Sequence, residues 1–225
     1  MSDDEAIGTI ELITGPMFSG KTTRLIENIR KYAYKNKKTI MVSFTGDKRY
    51  TDKSEVVTHD QMKYDSIQSN TLSEKFNILK NYDCIGIDEG QFFPDLVEVC
   101  EELADMGKLV IVAALSGDFM REPFSVIEKL IPKTDKIKLL KAYCFHCHKS
   151  AHYSLRIVAS NEKILIGAGE AYRPACRKCF KFFSKAREMG TLDIMNGVTS
   201  KNNKEKIDDN QNTEEKTTFK VGEKK

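Results

Sequence analysis

The chain has no long apolar run, no internal repeat and almost no excess of charge of either sign. A membrane-spanning helix needs about 20 consecutive apolar residues, and nothing in these 225 residues approaches that length. The opening stretch MSDDEAIGTIEL is acidic and lacks the basic segment and apolar core of a secretory leader. A cytoplasmic protein with no membrane partner is therefore expected. Against 36 Lys and Arg stand 33 Asp and Glu, a formal charge of +3. That is far from the basic excess by which nucleic-acid-binding domains neutralise phosphates, so nucleic acid is not expected as a partner.

The apolar fraction, 40%, suffices for the core of one medium domain with a small appendage. From about Gly190 the texture changes to TSKNNKEKIDDNQNTEEKTTFKVGEKK, polar and without apolar periodicity, and residues 190–225 are expected to be a disordered tail. Residues 191–225 carry seven Lys and seven Asp or Glu, so the net positive charge belongs to the folded part.

Residues 9–14, TIELIT, read as a strand, and Leu25, Ile26, Ile29 and Tyr32 fall at helical spacing behind them. TIMVSF (39–44), CIGID (84–88) and LVIVAAL (109–115) are short apolar runs suited to strands buried on both faces of a parallel sheet. Pro94 opens a helical pattern through Leu96, Val97, Val99, Cys100 and Leu103 that Gly107 ends. Strands alternating with helices predict a doubly wound α/β sheet over residues 1–141. After KIKLLKAY (136–143) the pattern breaks up around four cysteines, and a second module is expected over 142–189.

GPMFSGKT, Gly15 to Thr22, fits G-x-x-x-x-G-K-[ST] and lies between a predicted strand and a predicted helix, the context of a P-loop. Its glycines let backbone N–H groups surround phosphate oxygens at the positive end of a helix. Lys21 then reaches the β and γ phosphates, and the Thr22 hydroxyl serves Mg²⁺. A magnesium nucleotide also needs an acid at the end of a neighbouring strand, and CIGID supplies Asp88. The next residue, Glu89, is a base either for water, giving hydrolysis, or for a substrate hydroxyl, giving a kinase. Spacing leaves both open.

The pairs Cys144/Cys147 and Cys176/Cys179 are two C-x-x-C motifs 28 residues apart, a pattern for tetrahedral Cys₄ zinc in a reducing compartment. His146 and His148 beside the first pair are read as bystanders, because four thiolates already close a structural site. The tethered loop, 148–175, includes the small residues GAGEAY, which permit close approach of backbone to a ligand. It has no stacked aromatic series of the kind that binds single strands. Cys84 and Cys100 fall on apolar faces, where cysteine acts as a small hydrophobe.

Taken in order, GPMFSGKTT, DKRY, THD, IDEGQFFPD, VAALSGDF, REPF, the two C-x-x-C pairs and GAGEAYRPAC resemble the zinc-containing thymidine kinases of the cellular type, over about residues 8–183. The resemblance implies a P-loop parallel sheet with a small zinc ribbon carrying a lasso loop. It implies transfer of the γ-phosphoryl of MgATP to the 5′-hydroxyl of deoxythymidine, with Glu89 as base and Asp88 organising magnesium. Nucleotide contacts are implied for Gly15, Pro16, Met17, Phe18, Ser19, Gly20, Lys21, Thr22, Asp47, Lys48, Arg49, Asp88 and Gln91. Arg49 is chemically apt for charge developing on the transferred group.

For the nucleoside the resemblance implies backbone reading by Lys163, Ile164, Leu165, Ile166 and Gly167 together with Tyr172. Met17, Phe92 and Phe119 become walls, and Ser154 lies near the 5-methyl group. A homotetramer and feedback inhibition by dTTP are implied as well. Ser116 departs from the family, which commonly has Asp there, so that role is expected to be either weakened or moved, with Asp118 as the candidate. Two other readings stand beside the kinase. One is a P-loop ATPase using Glu89 on water, for which a chain this short has little room for coupling elements. The other is a zinc-ribbon module binding nucleic acid.

Overall fold

A computed structural model of the protein describes residues 7–46, 55–57, 63–158, 171–188, 192–193 and 198–199. Two compact units are distinguished, residues 1–180 and 181–225. Among the described residues no helix is long and apolar enough to cross a membrane.

The first unit begins as the sequence predicts. Strand β1 (Thr9–Gly15) leads through a turn into helix α1 (Lys21–Ala33), followed by β2 (Thr39–Phe44). A short antiparallel pair, β3 (Glu55–Val57) and β4 (Lys63–Asp65), precedes β5 (Ile67–Ser69) and the one-turn helix α2 (Phe76–Leu79). Then come β6 (Cys84–Ile87), α3 (Leu96–Asp105), β7 (Leu109–Leu115), α4 (Ser125–Leu130) and β8 (Lys136–Leu139). The helical pattern that Pro94 opens starts two residues later, at Leu96, and runs to Asp105, just before Gly107.

Among the described residues six strands form one sheet in the order β5-β2-β6-β7-β1-β8, every neighbour parallel. The predicted α/β class is the observed one. Side chains alternate across the pleat. Ile10 and Leu12 of β1, Ile40 and Val42 of β2, Ile85 and Ile87 of β6 and Val110 and Val112 of β7 enter one core with Leu96, Val99, Cys100 and Leu103 of α3. The intervening Ile13, Met41, Cys84, Ile111 and Ala113 enter the other, beneath Leu25, Ile26 and Ile29 of α1. Both faces are thus covered, which is why these strands read as uninterrupted apolar runs. Gly86 lets α1 approach: a Cβ there would lie 2.2 Å from Ile29 Cδ1.

Sheet geometry decides where chemistry can occur. Gly15 lies in register with Leu115 and Ile87 with Val112, so β1, β6 and β7 end at one edge. In open parallel sheets the carboxyl edge is where ligands bind.

Asp95, at the start of α3, braces this unit from outside. Its carboxylate accepts the Leu72 N–H at 3.0 Å, the Ser73 N–H at 2.8 Å and the Ser73 hydroxyl. Burial works against its charge, but those hydrogen bonds win and hold the carboxyl below its ordinary value. A depressed carboxyl contributes stability that is present above the unfolded pKa and is lost as pH falls through the lower folded one. Asp95→Ala is expected to destabilise the fold by about 1–3 kcal/mol. The difference from the parent, read by urea unfolding, should shrink below pH 4.

Beyond β8 the chain forms short antiparallel pairs: β9 (Ala142–Tyr143) with β10 (Ser150–Ala151), and β11 (Tyr153–Arg156) with β12 (Tyr172–Ala175). Helix α5 (Arg177–Glu188) follows. In the second unit β13 (Leu192–Asp193) pairs antiparallel with β14 (Val198–Thr199). Most of the tail expected at 190–225 lies outside the described residues.

Candidate functional site

The turn between β1 and α1 has the backbone that its sequence calls for. Gly20 has φ 78° and Phe18 φ 63°, both left-handed. At Gly15 a Cβ would lie 2.6 Å from the Leu140 carbonyl oxygen and 2.9 Å from Ser19 Oγ, so only glycine fits. Ser19 Oγ donates to the Pro16 carbonyl at 2.8 Å, and Lys21 Nζ, buried, donates to the same oxygen at 2.8 Å. The lysine thus lies across the inside of its own loop. The Ser116 N–H donates to the Gly15 carbonyl at 3.2 Å and ties the end of β7 to the loop.

The two adjacent acids are placed differently. Asp88 is 1% exposed and both its carboxylate oxygens lie 3.1 Å from Thr22 Oγ1, which donates to them. A hydroxyl and a carboxylate, both hard oxygen donors, are the set that suits Mg²⁺. Glu89 is only partly buried and has φ 53°, a left-handed conformation that costs a non-glycine residue on the order of 1 kcal/mol. Its Oε2 accepts from Gln91 Nε2 at 2.6 Å, while Gln91 Oε1 accepts the Leu115 N–H at 3.1 Å. Gln91, itself buried, therefore braces Glu89 against the end of β7. Asp118 holds its own turn: Oδ1 accepts the N–H groups of Met120 and Glu122 at 2.8 and 2.9 Å.

The four cysteines of the C-x-x-C pairs converge, all Sγ atoms lying within 4.8 Å of one another. Tetrahedral zinc with Zn–S near 2.3 Å separates its sulfurs by about 3.8 Å, and Cys147 Sγ and Cys176 Sγ are 3.6 Å apart. The set fits zinc. Burial raises the Cys144 thiol, but the N–H groups of Cys147, Cys176 and His146 outweigh it and bring it to about 7, suiting a thiolate ligand. Cys179 is held high, first by burial and then by its sulfur neighbours, and His146 Nδ1 lies 3.8 Å from its Sγ. By contrast, burial pushes Cys84 up to about 12 and Cys100 higher still, as befits apolar packing residues.

The described residues expected around a nucleoside fall into two groups. Phe119 and Tyr172 form one apolar cluster with Ala171, Met17, Phe18 and Val158. Ser154, buried, accepts the Met17 N–H at 3.0 Å and so joins β11 to the phosphate loop. Phe92 instead packs among aromatics of the sheet edge, its ring 5.3 Å from Phe44 and 6.5 Å from Phe124. Asp47, Lys48 and Arg49, and Lys163, Ile164, Leu165, Ile166 and Gly167, lie outside the described residues.

Sequence reasoning passed over Arg156. It is 0% exposed, with its guanidinium carbon 3.7 Å from the Phe119 ring centroid. The signal was a lone arginine in the run YSLRIV, at a position sharing a strand face with Ser154.

Comparison with known proteins agrees with this geometry. A family model described as Thymidine kinase matches residues 8–180. Thymidine kinase 1 of Dictyostelium discoideum is 46% identical over 176 residues, 77% of this chain and 78% of that protein. The thymidine kinases of Raccoon poxvirus and Variola virus are 43% and 42% identical over 173 residues, 77% of this chain and 97% of theirs. A chain that matches the family over its P-loop, its paired acids and its cysteine cluster alike belongs to the thymidine kinase family.

Proposed function

We infer that this protein is a thymidine kinase that transfers the γ-phosphoryl group of MgATP to the 5′-hydroxyl of deoxythymidine. The observation that carries the reading is the separation of the two acids: Asp88 is engaged with Thr22 of the phosphate loop, while Glu89 stands beside it on a brace of its own.

In this reading the loop from Gly15 to Thr22 cradles the phosphates through its N–H groups and Lys21. Thr22 and Asp88 would hold Mg²⁺, which when bound would supply positive charge against the phosphates. Asp47, Lys48 and Arg49 complete the nucleotide side. Glu89 accepts the proton of the 5′-hydroxyl as the hydroxyl oxygen attacks the γ phosphorus, whose bond to the β–γ bridging oxygen breaks to release ADP. The C-terminal module, 142–189, encloses the thymine. Lys163 to Gly167 read its edges, Met17, Phe92 and Phe119 wall it together with Tyr172, and Ser154 lies near the methyl group. Zinc on Cys144, Cys147, Cys176 and Cys179 would tether the two ends of the loop 148–175 beside the nucleotide domain, 1–141. A cytoplasmic homotetramer restrained by dTTP completes the reading.

The test is a panel of nucleosides with MgATP, scored by which compound gains phosphate. Deoxythymidine is expected to be phosphorylated and ATP use to require it. ATP hydrolysis at full rate without nucleoside would instead mean that Glu89 acts on water.

The brace gives a second expectation. Gln91→Leu removes the donor at 2.6 Å and so weakens the hold on the Glu89 carboxylate. Because hydrogen bonds to charged groups contribute about 1.5–3 kcal/mol, kcat should fall by roughly tenfold to a hundredfold with both KM values little changed. Steady-state kinetics against each substrate checks this.

A further inference from the structure

A fully buried arginine stands behind the aromatic cluster, and no phosphate chemistry accounts for it. Arg156 is the last residue of β11 and pairs across the ladder with Tyr172. The next rung is the Ile157 N–H donating to the Ala171 carbonyl at 2.9 Å. Arg156 therefore sits at the neck of the segment that runs between β11 and β12. Its Nη2 donates to the Tyr172 hydroxyl at 2.5 Å, and its guanidinium carbon is 5.2 Å from the Tyr172 ring centroid. The same guanidinium lies over Phe119, which comes from the loop after β7 in the nucleotide domain.

One side chain thus joins three pieces: both stems of the loop and an aromatic ring of the α/β core. Arginine suits this and lysine does not. A planar guanidinium stacks flat on a ring while its forked N–H groups reach sideways, whereas an ammonium is a compact, strongly hydrated point charge. The face of β11 that carries Arg156 also carries Ser154, which holds the phosphate loop through the Met17 N–H. Both side chains of that face tie the loop's neck to the catalytic domain.

We propose that Arg156 is a positioning residue for the nucleoside: by stacking on Phe119 and holding the Tyr172 hydroxyl, it sets the two aromatic walls before deoxythymidine arrives. This rests on the reading that Phe119 and Tyr172 wall the base. Pre-set walls spare binding the cost of ordering them, so the effect falls on nucleoside affinity and not on ATP.

The experiment compares Arg156→Lys, Tyr172→Phe and the double variant in the full chain, measuring KM for deoxythymidine, KM for ATP, kcat and zinc per chain. Arg156→Lys is expected to raise the deoxythymidine KM about tenfold or more, with ATP KM within about twofold and zinc content unchanged. In the Tyr172→Phe background the same substitution should have a smaller effect, because part of the interaction is already gone. An unchanged deoxythymidine KM overturns the proposal. So does a parallel change in both KM values with loss of zinc, which marks Arg156 as a general folding element. Should Arg156→Lys fail to fold, Tyr172→Phe decides alone: a raised deoxythymidine KM at constant ATP KM supports the proposal, and none refutes it. A parent enzyme that phosphorylates no nucleoside refutes the functional reading itself, separately from this inference.

Discussion

Glu89→Gln is expected to cut phosphoryl transfer by roughly two to four orders of magnitude and to leave MgATP binding as it was. The substitution is close to isosteric. The glutamine carbonyl can still accept from Gln91 Nε2, the bond that holds Glu89 at 2.6 Å, so the backbone at φ 53° and the brace to Leu115 have no reason to move. What disappears is an atom able to take a proton. Asp88 and Thr22 keep their contact, because neither reaches Glu89 in the bonds that join them. The expected signature is a large loss of kcat, with ATP affinity, read by calorimetry with a non-hydrolysable analogue, unchanged. Turnover near the parent level would remove Glu89 from the role of base. Loss of ATP binding would mean that it belongs to the nucleotide site.

The separate placement of the two acids could be read only partly from the sequence. The phosphate loop was legible because its signal is local. Glycine at left-handed positions, a lysine and a hydroxyl at the start of a helix all come from eight consecutive residues. The strands were legible for a different reason: burial on both faces removes polar residues, leaving the runs at 39–44, 84–88 and 109–115. β8 escaped because it lies at the sheet edge with all four residues exposed, so its KIKL carries no such signature. Helix α5, rich in lysine and arginine, was masked by the cysteines that introduce it. The left-handed Glu89 is a non-glycine residue in a conformation that no local pattern marks. Arg156 was missed because its partners, Phe119 and Tyr172, lie 37 and 16 residues away in sequence. Cation–π stacking across such distances exists only once the sheet and the β11–β12 ladder are built. Phe92 and Phe119 looked alike in sequence, and the fold separates them between two clusters.

Removing zinc is expected to abolish deoxythymidine binding in the working concentration range. The reason lies in how short the C-terminal module's own ladders are, apart from the ties that Ser154 and Arg156 make to Met17 and Phe119. Its ladders are two residues long in β9–β10 and four in β11–β12, and an isolated two-stranded pair is marginal in water. They are cross-tied by single bonds, the Phe145 N–H to the Pro174 carbonyl at 2.9 Å and the His152 N–H to the Ala175 carbonyl at 3.2 Å. Against this, structural zinc would contribute on the order of 10 kcal/mol, at the point where Cys144 and Cys147 meet Cys176 and Cys179. β12 ends at Ala175, next to Cys176, and β11 starts at Tyr153, six residues after Cys147. Without the metal, the cost of ordering them falls on ligand binding. That cost is about 2–5 kcal/mol for a segment that folds as it binds, weakening affinity by a factor of roughly 30 to several thousand. Metal analysis should find one zinc per chain. Chelated protein, or Cys147→Ser, should bind deoxythymidine correspondingly more weakly by calorimetry, while the phosphate loop, built from β1 and α1 on the opposite side of the sequence, still binds MgATP. A zinc-free chain with parent affinity for deoxythymidine would show that the ribbon orders itself and that the cysteines serve some other end.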